Sequence, residues 1–259
     1  MRFRSKLKRN LLAKEVDLPP QTAESLIDGL AEFANPVHAE PLARFFKTGP
    51  GQYAEGDVFL GLTVPQSRSV AKNYMNLPDR ELDELFKSPI HEHRFCATVI
   101  LTERFRKAKD ELTKAAIFDA FLNAVYDGYI NNWDLVDVSA SVIGGFLVEA
   151  EDQTFGEKLL DELAASDNLW RRRVAIIFTA AFIRANKFEP TLRMSRALLN
   201  DKHDLIHKAC GWMLREVGKR DPDLLRAFLE ETKGRMPRTE LRYAIEKFDA
   251  DERQRWLKA

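Results

Sequence analysis

The chain is poor in the residues that build disulfides, metal sites, tight turns and membrane spans. Its 259 residues include two cysteines, Cys96 and Cys210. Both sit in apolar helical patterns, which fits buried free thiols in a reducing cytoplasm rather than a disulfide. The five histidines (His38, His91, His93, His203 and His207) lack Cys or His partners at metal-ligand spacing, and His91-x-His93 is too short a pair to count. No metal is expected. Twelve glycines and eleven prolines leave little punctuation between long elements. No apolar run is long enough to span a bilayer, and no secretory core follows the basic start Met1-Arg2-Phe3-Arg4-Ser5-Lys6. A Gly-x-Ser-x-Gly elbow, a His-Glu-x-x-His helix, a P-loop ending and a dinucleotide-binding glycine fingerprint are all missing. These absences exclude a disulfide scaffold, a membrane protein and several common enzyme chemistries, and they imply no cofactor.

What is present is a helical pattern. With 45% apolar and 31% charged residues the composition is that of a soluble globular chain. Apolar residues recur at spacings of 3–4 nearly throughout, and strand-like alternation is almost absent. Ile27, Leu30 and Phe33 mark one helix, and Leu42, Phe45 and Phe46 the next. Further helices are predicted over 66–76, 79–87, 91–107, 111–128, 134–149, 157–165, 169–186, 190–199, 203–218, 222–232 and 238–248. Asp221-Pro222 supplies an N-cap with proline at the first helical position, and Pro237-Arg238-Thr239 opens the helix that follows.

A repeat underlies the pattern. Similar helical stretches place a small residue at Ala97, Ala140, Ala175 and Ala209, at intervals of 43, 35 and 34. A period of this size, with two helices per unit, is that of a helical solenoid, in which stacking neighbours complete each other's core. The expected architecture is an all-α, curved solenoid with a concave groove lined by the second helix of each pair. The expected organisation is a basic arm over 1–19 and a single repeat domain over 20–259. The segment 48–57, Thr-Gly-Pro-Gly-Gln-Tyr-Ala-Glu-Gly-Asp, interrupts the pattern. It reads equally as a structured connection or as a functional loop.

Charge is balanced overall and uneven along the chain. Residues 100–167 hold 6 Lys and Arg against 14 Asp and Glu, whereas residues 168–259 hold 21 against 13. The segregation suggests a surface for a polyanion on the later helices. Simple compensation between neighbouring helices is the alternative.

Three stretches carry candidate chemistry. In Trp133-Asp134-Leu135-Val136-Asp137 a tryptophan and a carboxylate stand one turn apart on one helix face, an arrangement suited to something cationic. Asp137 could equally cap a neighbouring helix or pair with an arginine. Arg171-Arg172-Arg173 opens a helix, where positive charge is mildly unfavourable, so these residues call for partners. At most one or two of them can reach the concave face. Trp170 before them is expected to pack between repeats. Trp212 is surrounded in sequence by His207, Lys208, Arg215, Lys219 and Arg220, and aromatic residues interleaved with basic ones suit nucleic acid. Arg238 and Arg242 extend that charge.

Taken together, Ala43-Arg44-Phe45-Phe46-Lys47, Phe59-Leu60-Gly61-Leu62-Thr63-Val64-Pro65, Trp133 to Asp137, Trp170 to Ala175 and Lys208 to Glu216 resemble the DNA alkylation repair family of HEAT-like-repeat proteins, the AlkD-like DNA glycosylases. The likeness covers roughly residues 40–248. It implies excision of cationic N3- and N7-alkylated purines from duplex DNA, without flipping the base into a pocket. It matches Asp137 to the catalytic carboxylate, Trp133 and Trp212 to the two active-site tryptophans, and Arg173 to an arginine that would hold a phosphate. The DNA-contacting set expected alongside them is Lys47, Arg172, Lys208, Arg215, Lys219, Arg238 and Arg242. No lysine nucleophile stands at the matched site, so the expected glycosylase is monofunctional, without cofactor or metal. A monomer is expected, in the cytoplasm, on the nucleoid if the chain is bacterial. Phe45 stands where the family has tyrosine, and 48–57 looks inserted, with Tyr53 placed to replace the lost hydroxyl. The rival readings are a non-catalytic binder of branched or damaged DNA and a protein-binding scaffold.

Overall fold

A computed structural model describes residues 18–150 and 152–258. Residues 1–17 of the expected basic arm lie outside the described residues. The helices are α1 (Ala23–Ala31), α2 (Pro36–Phe45), α3 (Val64–Ala71), α4 (Asp79–Phe86), α5 (His91–Lys107), α6 (Glu111–Tyr126), α7 (Trp133–Ile143) and α8 (Gly145–Glu149). Then follow α9 (Gln153–Ala164), α10 (Leu169–Arg184), α11 (Glu189–Ala197), α12 (Asp204–Gly218), α13 (Pro222–Glu231), α14 (Arg238–Ala244) and α15 (Ala250–Lys258). No strand occurs among the described residues, only an isolated bridge between Val58 and Ile90.

Packing follows the predicted repeat, and the chain is an all-α solenoid. Helices α3, α5, α7, α10, α12 and α14 form one row, each in contact with the next. Helices α4, α6, α9, α11 and α13 flank that row. Ala97, Ala140, Ala175 and Ala209 fall on α5, α7, α10 and α12, and none of them has any exposed surface. Their small side chains set the helix spacing; a larger one would overpack the row at a cost of about 1–3 kcal/mol. Gly211 does the same between α12 and α14, where a Cβ would stand 2.4 Å from the Glu240 carbonyl oxygen.

Caps start the helices that matter for the site. Asn132 accepts from the Trp133 amide at 2.9 Å, and Asn168 accepts from the amides of Trp170 and Arg171 at 2.8 and 3.2 Å. Asp221 caps α13 through the Leu224 amide, with Pro222 inside the start, as the sequence predicts.

Several helix ends shift by a few residues from the sequence reading, and two differences go further. The helix predicted over 134–149 is broken at Gly144 into α7 and α8. A Cβ at Gly144 would lie 2.8 Å from the Phe178 carbonyl, so close approach to α10 ends the helix there. The predicted pattern also stops at 248, whereas α15 continues to Lys258. Its apolar content is slight, but Trp256 and Leu257 pack on a second core built from Leu192, Leu214, Leu225, Phe228 and Leu229. Arg226 secures it by a two-pronged pair with Glu252 at 2.8 and 2.9 Å. Both cysteines are free and fully buried, Cys96 on α5 and Cys210 on α12.

Candidate active site

Along the row of helices runs a cleft of about 640 Å³. It is lined by Trp133 and Asp137 from α7, by Arg173 from α10, and by Lys208, Trp212 and Arg215 from α12. Tyr243 of α14, His203, Asp204 and Leu205 at the start of α12, and Phe45, Lys47 and Tyr53 from α2 and its loop complete it. Residues separated by more than 160 positions in the chain thus share one wall.

At its base Arg173 grips Asp137. The guanidinium Nε donates to Asp137 Oδ1 at 2.9 Å and Nη2 to Oδ2 at 2.8 Å, a two-pronged geometry that fixes the carboxylate plane. The remaining nitrogen, Nη1, donates to the Leu205 carbonyl. The Arg173 side chain is only 6% exposed, while Asp137 keeps 19%, so the carboxylate is the more open member of the pair. Burial pushes the Asp137 carboxyl above the usual aspartate range; Arg173 opposes this and Asp134 adds to it. Each guanidinium nitrogen of Arg173 has a partner among the described residues, and the phosphate contact expected of it would fall to the remaining N–H groups of the fork.

Trp133 is held from behind by a stack. Phe46 lies parallel to it at 5.2 Å with an interplanar angle of 6°, and Phe45 meets it edge-on at 6.0 Å. Phe46 also packs on Phe59 and His91. Phe45 itself is 63% exposed at the lip of the cleft. Trp212 stands half-buried on the α12 wall.

Beneath this aromatic wall lies a charge network that the sequence reading missed. His91 bridges Asp57 (Nδ1, 3.2 Å) and Asp134 (Nε2, 2.8 Å). Asp57 also pairs with Arg94 Nη2 at 2.6 Å and accepts from Asn132 Nδ2 at 3.2 Å. Burial disfavours a charged imidazole, but the two carboxylates outweigh it and hold His91 protonated up to about 9. The same carboxylate of Asp57 thus ends the segment 48–57 and fixes Asn132, the cap on which Trp133 begins. The segment is a strut for α7 as well as a surface connection. Further along it Tyr53 crosses to the far helices, meeting the Trp170 ring at 5.8 Å and His203 at 6.2 Å, both edge-on. Its hydroxyl reaches toward the Phe45 carbonyl at 3.5 Å. Burial raises the Tyr53 phenol pKa, against the pull of the Trp133 side chain and Lys208.

The basic residues divide. Lys47, Lys208 and Arg215 line the cleft. Lys208 pairs with Asp204 at 2.7 Å, and Arg215 with Glu246 and Glu216. Arg172 is not in the cleft lining: its Nε donates to Asp201 at 2.6 Å and its Nη1 to the carbonyls of Ser166 and Asp167 at 2.8 Å, which ties α10 to the turn before α12. Arg171 donates to the Tyr126 carbonyl at 2.7 Å and lies over that residue's ring at 4.9 Å. Each of the three arginines therefore has its partner within the protein. Lys219 pairs with Glu216 at 2.7 Å, and Arg238 donates to the Leu257 carbonyl. Arg242 is exposed. These last three do not line the cleft. No group of metal-ligating side chains occurs among the described residues, and no helix there is long and apolar enough to cross a membrane.

Trp170 packs between repeats as expected, 7% exposed. The fold is similar to a solved structure from Enterococcus faecalis described as a predicted DNA alkylation repair enzyme. The TM-score is 0.64 at 17% identity, over 84% of this chain and 97% of the other. No curated protein matches the chain. The family model described as DNA alkylation repair enzyme matches residues 26–248. That span takes in every residue of the cleft, and the chain belongs to the DNA alkylation repair enzyme family, with a role in DNA repair.

Proposed function

We propose that the protein is a monofunctional DNA glycosylase that hydrolyses the N-glycosidic bond of N3- and N7-alkylated purines in duplex DNA. The observation that carries this reading is the Asp137 carboxylate, locked in orientation by Arg173 yet open to a cleft walled by Trp133 and Trp212. Alkylation leaves the purine positively charged, so the bond to C1′ is already weak. The bond breaks with its electron pair leaving on the purine, which becomes neutral, and the sugar becomes oxocarbenium-like. Asp137 stabilises that cation and orients a water, whose oxygen bonds C1′ while its proton passes to Asp137 or solvent. The indoles offer π-faces to the cationic sugar. Arg173 acts through Asp137, as a positioning residue.

The test is release of 7-methylguanine or 3-methyladenine from methylated duplex DNA, with Asp137→Asn alongside. The variant should lose at least about 100-fold in rate, the scale of one electrostatic stabiliser, while still binding DNA. Full activity in the variant would remove Asp137 from the mechanism. A second reading, non-catalytic binding of branched or damaged DNA, draws on the same pair. Arg173 neutralises much of the field of Asp137, as it would in a purely structural ion pair. No base release from the wild type, with tight and salt-dependent DNA binding, would favour that reading.

A further inference from the structure

Resting on the reading that the cleft takes DNA, one consequence concerns its phosphate. Arg173 is held by Asp137 and the Leu205 carbonyl, Arg172 lies outside the cleft lining on Asp201, and Lys208 and Arg215 face the cleft already paired with carboxylates. Lys47 is the remaining lysine or arginine of the cleft lining, exposed and in no ion pair among the described residues.

Its backbone sets it apart. Lys47 has φ 60°, one of two non-glycine residues with positive φ among those described; the other is Asn186. The cause is the end of α2. The Thr48 amide donates to the Ala43 carbonyl at 3.2 Å and the Lys47 amide to the Arg44 carbonyl at 3.3 Å. That double closure is a Schellman motif, and it demands a left-handed residue at position 47. Glycine is the usual occupant because a Cβ there is strained; asparagine, as at 186, is the tolerated substitute. Lysine has neither advantage. The nearby loop does use glycine at its other left-handed positions, Gly51 at φ 72° and Gly56 at φ 87°.

Position 47 is also held firmly. Its carbonyl accepts from the Ala54 amide at 3.2 Å, and the preceding Phe46 stacks on Trp133. The ammonium therefore swings from a fixed point beside the tryptophan wall. A non-glycine residue in this conformation costs stability that glycine would not, and such outliers cluster at functional sites. We propose that Lys47 is the phosphate ligand of this cleft, a positioning residue that holds the DNA backbone next to Trp133 and Asp137.

Binding of methylated and unmodified duplex DNA to Lys47→Gly and Lys47→Arg, measured by anisotropy over a range of salt, tests this. Lys47→Gly should hold or raise Tm, by up to about 2–4 °C, since it relieves the backbone. It should also weaken binding about tenfold, the scale of one charge-assisted hydrogen bond. The slope of log K against log salt should fall by about 0.9, one phosphate's share. Lys47→Arg should keep the wild-type slope. An unchanged slope in Lys47→Gly, or a fall in Tm of several degrees, overturns the proposal. Base release assayed in parallel separates the two readings: a reduced slope in Lys47→Gly beside a wild type that releases no base would retain Lys47 as phosphate ligand and remove the glycosylase.

Discussion

Replacing Glu240 by glutamine should make the protein's stability much less sensitive to pH. Glu240 lies on α14 with no exposed surface, and neither carboxyl oxygen has a hydrogen-bond partner. Burial raises its pKa from 4.5 to about 8. Below the unfolded value, folded and unfolded chains both carry the proton and no penalty arises. Between about 4.5 and about 8 the unfolded chain ionises while the folded one stays protonated, so stability falls as pH rises. At 1.36 kcal/mol per pH unit the loss amounts to roughly 3 kcal/mol by pH 7 and roughly 5 kcal/mol above pH 8. Glutamine has no such titration; its unpaired amide adds only a pH-independent offset. Urea unfolding of wild type and Glu240→Gln at about pH 5, 7 and 9 reads the difference directly. The stability gap between variant and wild type should shift in the variant's favour by about 3 kcal/mol or more across that range. Parallel stabilities at all three values would mean that the carboxyl finds a partner or water, and the reasoning from its isolation would fail.

Two other perturbations have defined outcomes. His91 gains its stability from Asp57 and Asp134, and its pKa rises from 6.5 to about 9. Its contribution is full below the unfolded value and is lost as pH rises through the folded one. His91→Gln should therefore cost about 3 kcal/mol near pH 6, with the gap closing above pH 9 in urea unfolding; a gap independent of pH would refute the charged bridge. Gly211→Ala would place a Cβ 2.4 Å from the Glu240 carbonyl and 2.6 Å from Tyr243 Cβ. Because one obstacle is backbone, α12 and α14 must separate, costing about 1–3 kcal/mol. Base release should suffer too, because Trp212 and Tyr243 would shift; an unchanged Tm would show that the two helices are not in firm contact.

The sequence displayed the repeat because helix stacking leaves a local trace. Ala97, Ala140, Ala175 and Ala209 must be small wherever neighbouring rows touch, and their period survives unrelated surroundings. It also displayed that Arg171, Arg172 and Arg173 needed partners, since three cations at a helix start are locally unfavourable. It could not display who those partners are. Tyr126, Asp201 and Asp137 lie 45, 29 and 36 positions away, and only the stacking of repeats brings them in. The His91 network was hidden for the same reason, with Asp57 and Asp134 at separations of 34 and 43. Helix α15 escaped because its burial rests on Trp256, Leu257 and a carboxylate pair rather than on an apolar stripe. The break at Gly144 depends on the Phe178 backbone of another helix. The Trp133–Asp137 pairing was legible because its spacing lies within one turn.

The two thiols bear on the conditions in which this family works. Alkylating electrophiles seek soft nucleophiles, and in proteins the deprotonated sulfur of cysteine is a preferred target. Cys96 and Cys210 are sealed within α5 and α12, and burial drives both thiol pKa values far above the ordinary range. Virtually none of either is thiolate at neutral pH, and no reagent reaches the sulfur without opening the fold. The chain therefore offers no reactive cysteine to the very compounds that damage its DNA, and a burst of such reagents leaves the repair protein intact at these positions while the lesions accumulate.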